Sequence, residues 1–407
     1  LIETAIVLHW AEFAVRWVHV ITAVAWIGSS FYFIALDLGL HRDRNLASGA
    51  DGEEWQVHGG GFYHVQKYLV APERMPSDLI WFKWESYWTW LSGFALLVVV
   101  YYIGGEIFLI DPSRLDIPVW QGAVLSMASL ALGWVVYNTL CKVFVDYNPT
   151  VLMVALFGVI VAMAWFYTQV FTGRAALLHL GAFTASIMTG NVFFIIMPNQ
   201  RIVVADLIAG RKPDAKYGKI AKQRSTHNNY LTLPVIFLML SNHYPMAFAS
   251  EWNWVIAALV FLMGVTIRHW FNMGHARKGK PYWALGATAV LFVLIVRLSL
   301  VGAEDEVEQV SVLTRTGEVY ASAAGFEDVA DLVIGNCSMC HGAYPGWGNV
   351  VQAPKGVLLD TPEAIANHAQ AIYLQAGVSH AMPPPVANYL VAEDRALIRA
   401  WFEGAGS

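Results

Sequence analysis

The run Trp17 to Leu36, WVHVITAVAWIGSSFYFIAL, holds 20 residues without a single Asp, Glu, Lys or Arg. At 1.5 Å per residue a helix of that length matches a bilayer core roughly 30 Å thick. The spacing predicts a first transmembrane helix over about residues 10–36, able to direct its own insertion. A cleavable signal peptide is not expected, because the apolar stretch runs past residue 30 and has Arg16 and His19 inside it.

Outward from this run the pattern recurs. The chain has 407 residues, 57% of them hydrophobic and only 14% charged, with a mean hydropathy of +0.48. That excess of apolar surface excludes an ordinary soluble domain and predicts a polytopic membrane protein. Eight apolar runs are expected to span, near residues 10–36, 84–104, 118–140, 150–171, 175–197, 230–250, 252–274 and 282–302. The sixth is interrupted by Ser241-Asn242-His243-Tyr244-Pro245, the signature of an early exit or a broken helix. Residues 37–83 and 198–229 read as hydrophilic loops. The net charge of −5 argues against a nucleic-acid partner.

Near the other end stands Cys337-Ser338-Met339-Cys340-His341, a C-x-x-C-H run. It is the attachment signal for one covalent c-type haem, with His341 as the proximal iron ligand. A zinc half-site or a redox disulfide is the plainer reading, but zinc needs two further ligands and the only other cysteine is Cys141, expected to be an inert packing thiol. Met382, followed by three prolines, is the expected second axial ligand; His380 and His368 are its rivals and would give a haem of lower potential. Phe326, Val329, Ala330, Val333 and Ile334, and later Leu397, Ile398, Trp401 and Phe402, recur at helical spacing on either side. The expected fold is therefore all-α: an eight-helix transmembrane bundle over 1–302, an acidic linker over 303–318 and a small class I-like cytochrome c domain over 319–407.

Charge gives the orientation. The loops after the first, third, fifth and seventh spans hold 16 Lys and Arg, and the opposite loops hold only Arg114 and Arg174. The positive-inside rule then places both termini outside the cytoplasm of a bacterial inner membrane. Haem attachment points the same way, since in bacteria it takes place in the periplasm.

Ionisable groups within spans are costly and so are functional candidates. Arg16, Ala23, Ser30 and Asp37 recur every seven residues in the first span, and Arg268, Asn272 and His275 share a face in the seventh. By depth, His19, His179 and His243 fall in the outer half, and His227, His269 and His275 toward the cytoplasm. Each alone is ordinarily a histidine bonded to a neighbouring helix. The segment His58-Gly59-Gly60-Gly61-Phe62-Tyr63-His64, Glu85 in the Trp-rich start of the second span, Gln200-Arg201 and His227-Asn228-Asn229 offer donors for a flat anion; a solvent turn and an ordinary inside charge are the bland readings of the first and of Arg201.

The first span, the loop HGGGFYHVQKY, the stretch WFKWESYWTW and the segment THNNYLTLPVIFLMLSNHYP resemble the bacterial membrane-bound urate oxidase family, also called urate hydroxylase. The resemblance covers nearly the whole chain. It implies oxidation of urate to 5-hydroxyisourate in purine breakdown, with electrons leaving through the fused cytochrome to an acceptor such as a terminal oxidase. The resemblance supplies no catalytic residues; from the chemistry of the side chains themselves Arg201, His227 and Glu85 are the expected catalytic residues, and Gln200, Asn228 and Asn229 the expected substrate contacts. A substrate on the cytoplasmic side would lie a bilayer away from the haem c. That distance suggests a b-type haem in the bundle, held by His19 and His179 or by His227 and His269, unless the urate pocket opens near the outer surface. The alternatives are a quinol-oxidising electron-transfer subunit with a fused cytochrome c, and a transporter with a fused redox domain.

Overall fold

The computed structural model describes residues 2–42, 45–69, 76, 78–103, 105–144, 148–301, 312–348, 350, 352–384 and 387–405. The acidic run Glu304 to Glu308 lies outside them. The chain opens with α1, the single helix Ile2–Gly39, and then forms an antiparallel hairpin of β1, Ala50–His58, and β2, Gly61–Tyr68. α2, Trp84–Leu97, continues through a π-helical segment, Val98–Ile103, to the short α3, Gly105–Phe108. α4, Val119–Val143, and α5, Pro149–Val170, follow. α6, Gly173–Gly190, runs through a π-helical segment, Asn191–Ile196, into α7, Met197–Ile208. α8 is Ala215–Leu240, α9 the single turn Pro245–Phe248, α10 Asn253–His275 and α11 Tyr282–Leu300.

Local chemistry explains these limits. Asn148 caps α5 by accepting from the Thr150 amide at 2.8 Å, with Pro149 in the first turn where no donor is needed. Thr172 caps α6 and Asp214 caps α8 in the same way. Among the described residues seven helical stretches are long and apolar enough to cross a membrane: α1, α2 with its π segment, α4, α5, α6 with α7, α10 and α11.

α8 is not one of the seven, and here the expected sixth span is corrected. The helix occupies 215–240 instead of 230–250, and its first half carries Lys216, Lys219, Lys222 and Arg224. It stops where Ser241–His243 tightens into a 3₁₀ turn and Tyr244, ahead of Pro245, is driven to an extended conformation. The expected loop 198–229 is corrected with it, since α7 and the start of α8 fill most of that range. The helix carries on past Pro198 because the preceding π turn absorbs the proline's missing donor.

The described residues are mostly helical, as expected, with one hairpin that the all-α expectation did not include. His58 pairs with Gly61 across Gly59 and Gly60, whose φ values of 58° and 80° suit a tight two-residue turn. Trp55 stacks on His64 at 4.2 Å, and His64 Nε2 meets Glu53 at 2.7 Å. Asp37 at the end of α1 ties the hairpin to α8 through Lys67 and, at 2.7 Å, Lys222.

α6 lies at the centre, packed by α2, α4, α5 and α8. Small residues permit the close approach: a Cβ on Gly133 would meet the Phe183 ring at 2.1 Å, and one on Gly190 would meet Trp134 at 2.1 Å. α1 and α11 turn apolar side chains outward, among them Trp17, Val24, Val290 and Phe292. Such faces suit a lipid surround.

The C-terminal domain comprises α12, Arg315–Ala321, α13, Phe326–His341, α14, Pro362–Asn367, α15, Ala369–Ile372, and α16, Ala392–Ala405. It begins a few residues before the expected boundary at 319. α13 and α16 lie where the periodicity placed helices, and Val329, Val333, Ile365, Ile398 and Trp401 close a second core between them. Trp401 Nε1 donates to the Tyr320 carbonyl at 2.9 Å. The domain rests on the bundle end opposite the hairpin: Thr316 donates through its amide and hydroxyl to Glu106, at 3.2 and 2.6 Å, and Gly356 packs on the Phe248 ring.

Candidate functional site

The C-x-x-C-H run forms the last turns of α13. Cys337 and Cys340 are three residues apart on one helix face, a spacing of about 5–6 Å between Cβ atoms, and both thiols are free. Burial, and then the neighbouring Cys340, push the Cys337 thiol up to about 11. His341 Nδ1 donates to the Val357 carbonyl at 2.8 Å, so its tautomer leaves Nε2 free for a metal. That is how a ligating histidine is ordinarily oriented.

Across the domain, Met382 is held by its backbone. Its amide donates to the Gln375 carbonyl at 2.9 Å, and its carbonyl accepts from Arg395 Nη1 at 3.1 Å. Arg395 is itself buried and also donates to the Ala376 carbonyl. The Met382 side chain remains 37% exposed. Of the rivals, His380 is exposed, and His368 donates from Nδ1 to the Ala364 carbonyl at 2.8 Å. Burial holds His368 below its ordinary value, with the His341 and Arg174 charges adding to the effect. The donor set, a paired thiol edge with a tautomer-locked histidine beside it, fits a c-type haem.

In the bundle, two arginines are buried among carboxamides. Arg224, 2% exposed, donates to Asn138 Oδ1 at 2.9 Å and to Asn191 Oδ1 at 3.4 Å, and its guanidinium lies 5.0 Å from the Tyr137 ring. Asn191 donates onward to Tyr137 Oη at 3.0 Å and Asn228 Oδ1 at 2.9 Å, and Tyr137 shares a 2.8 Å hydrogen bond with His227 Nδ1. On the next face of α8, Arg268 of α10, 4% exposed, donates to Asn229 and Asn272 and stacks over Phe31 at 4.0 Å. Among the described residues neither arginine has a carboxylate partner. A buried cation without a counter-ion is costly, so carboxamide dipoles carry the compensation.

The structure brings together some expected residues and separates others. His227, Asn228 and Asn229 enter these two networks. Arg201 and Gln200 do not: they are exposed on α7, because the helix runs on where a loop was expected. Glu85 sits half-buried in the first turn of α2. A cavity of about 300 Å³ opens at the hairpin end, lined by Tyr32, Glu54, Gln56, His275 and Arg277.

The four histidines expected to hold a b-type haem have the following contacts. His19 Nδ1 lies 3.0 Å from the Thr89 carbonyl and 3.2 Å from Ser92 Oγ. Trp90 of α2 bonds Ser186 of α6 at 2.9 Å, and His179 lies two turns earlier on α6, its ring against Tyr101, Tyr167 and Phe171. His227 turns to Tyr137 of α4, and His269 to Tyr230 at 3.2 Å and the Trp283 ring. Among the described residues no three His, Cys, Asp or Glu side chains form a direct metal site.

Sequence reading passed over Arg224, Asn138, Asn191 and Tyr137. Arg224, Asn228, Thr232 and Val235 do recur at helical spacing, which was the available signal.

Residues 5–299 match the family model described as "Urate oxidase N-terminal". No curated protein and no solved structure matches the chain.

Proposed function

The chain belongs to the urate oxidase N-terminal family, and from that membership we propose that it oxidises urate to 5-hydroxyisourate in a membrane-embedded helical domain and passes the electrons to a c-type haem in its own C-terminal domain. The urate monoanion and water give 5-hydroxyisourate, one proton and two electrons. A haem held at Cys337, Cys340, His341 and Met382 supplies a one-electron carrier, re-oxidised twice per turnover by an acceptor such as a terminal oxidase.

The chain's own residues set that carrier's environment. The Val357 carbonyl aims His341, while Gln375 and Arg395 hold the Met382 backbone. The observation that supports the reading most is the joining, in one chain, of the family match to a C-x-x-C-H helix end whose histidine keeps Nε2 free. Anaerobic addition of urate to isolated membranes should raise the reduced haem α-band. Reduction by quinol but not urate would make the protein an electron-transfer subunit, and urate uptake without reduction would make it a transporter.

Met382 gives a second test. Met382→Ala should keep the covalent haem but lower its midpoint potential and admit carbon monoxide, because a thioether favours ferrous iron. An unchanged spectrum and potential would remove Met382 from the iron.

The basic hairpin end is the cytoplasmic one on this reading, with the C-terminal domain in the periplasm. Phe62, 79% exposed near the hairpin turn, tests it. A Phe62→Cys variant should react with a membrane-impermeant maleimide in inside-out vesicles and not in right-side-out ones. The reverse pattern would invert the topology.

A further inference from the structure

Beneath the C-terminal domain the bundle encloses polar atoms that no group among the described residues satisfies. His179 on α6 is fully buried; its Nδ1 donates to the Ala175 carbonyl at 2.7 Å, and its Nε2 has no partner. Tyr101, 2% exposed in the π segment after α2, sets its ring edge-on 5.6 Å from that imidazole, and its hydroxyl lies beside Arg174 but outside hydrogen-bond geometry with it. Arg174, in the first turn of α6, lies 4.8 Å over the Phe108 ring, within electrostatic reach of Tyr101, with Nε unpartnered. Asn242 and Asn253, 5% and 4% exposed on segments packed against the same end of α6, each leave a side-chain oxygen unpartnered.

Buried polar atoms are nearly always paired, by protein, water or ligand. Five orphans at one end of one helix therefore call for an occupant. The set is mixed: Arg174 Nε donates, His179 Nε2 and the two amide oxygens accept, and the Tyr101 hydroxyl does either. The charge is one-sided. Arg16 at the rim is paired with Glu12, but among the described residues no carboxylate pairs with Arg174. His243 and Lys355, both exposed, complete a basic rim reachable from solvent.

An anion bearing both N–H donors and carbonyl acceptors on a flat ring answers every part of this set. We propose that the planar oxopurine anion, urate, binds at this end of the bundle, held by Arg174, Tyr101 and His179 under the C-terminal domain. The proposal rests on the function proposed above and locates its substrate. It also shortens the electron's route. Arg174 is within electrostatic reach of His368, and His368 of the haem ligand His341, so substrate and carrier share one end of the bundle. An electron leaving this site has no 30 Å hydrocarbon core to cross, and no b-type haem is required between the two.

Equilibrium dialysis of labelled urate against the full-length, haem-loaded protein, kept reduced with dithionite to prevent turnover, reads binding without activity. Arg174→Gln should weaken binding about tenfold or more, and Tyr101→Phe by a smaller factor, as loss of a charge-assisted and a neutral hydrogen bond predict. Arg174→Lys should restore part of the loss. An unaltered haem α-band and midpoint potential show in each case that the fold and the carrier survive. Wild-type binding in both Arg174→Gln and Tyr101→Phe, or loss of binding in Arg224→Gln or Arg268→Gln instead, would overturn the proposal and move the substrate to the hairpin end. Failure of the wild-type protein both to bind urate and to be reduced by it is a different result, which removes the urate reading itself.

Discussion

Replacing Cys337 and Cys340 together with alanine should, on the function proposed above, leave a protein without covalent haem, and urate-dependent reduction of an external acceptor should fall to background. The two thioethers would keep the group in place; without them only the axial contacts from His341, oriented by one 2.8 Å hydrogen bond to Val357, and from Met382 would remain, on a group free to equilibrate with solvent. The loss should also soften the C-terminal domain, because Cys337 packs against the core built on Val329, Val333 and Ile398. Haem staining of a denaturing gel is the direct measurement. A stained band of full length in the double variant would mean that attachment lies elsewhere, and the electron route proposed through this domain would fall with it.

Asn191→Leu should lower the stability of the helical bundle by about 3 kcal/mol or more. Asn191 is fully buried and is the hub at which α4, α6 and α8 meet: it accepts from Arg224 and donates to Tyr137 and Asn228. Leucine keeps the volume but strips a buried guanidinium of one of its two acceptors and leaves Asn228 Oδ1 without its donor. The penalty lies in the groups left behind more than in the lost bond. Two readouts separate these. The thermal midpoint of the purified protein in detergent should fall by several degrees in Asn191→Leu, and should recover in part when Arg224→Met is added, since the unpaired charge is then gone. A single variant that melts with the wild type would show that Arg224 finds compensation elsewhere.

The features legible in the sequence share a short range. The run from Trp17 to Leu36 was readable as a helix because a backbone in an apolar surround must satisfy its own hydrogen bonds. The C-x-x-C-H run was readable because its three chemical groups lie within five residues on one helix. The periodicity from Phe326 to Ile334 marked α13 for a similar reason. Where turn chemistry intervened, the reading slipped. Gly59 and Gly60, whose sequence allows either a ligand-binding loop or a plain solvent turn, are the turn of a hairpin. Pro198, taken for the end of a helix, is absorbed by a π turn.

What only the tertiary structure decided is which polar side chains meet. Arg224 in the sequence is one more basic residue on the side rich in lysine and arginine; in the fold it is 2% exposed and bonded to Asn138 and Asn191, 86 and 33 positions away. Arg174 reads as an isolated charge in a short loop, and the docking of a second domain on Glu106 and Phe248 places it near His368. His19 and His179 look like a matched pair by depth alone, and the packing gives them different neighbours, Thr89 and Ser92 for the first and Tyr101, Tyr167 and Phe171 for the second. Hydropathy and local motifs are properties of neighbours in the chain and so are written in it residue by residue. A hydrogen bond between helices depends on the rotation and offset of each helix about its axis, which small-residue packing such as Gly133 on Phe183 and Gly190 on Trp134 determines only once the helices have assembled.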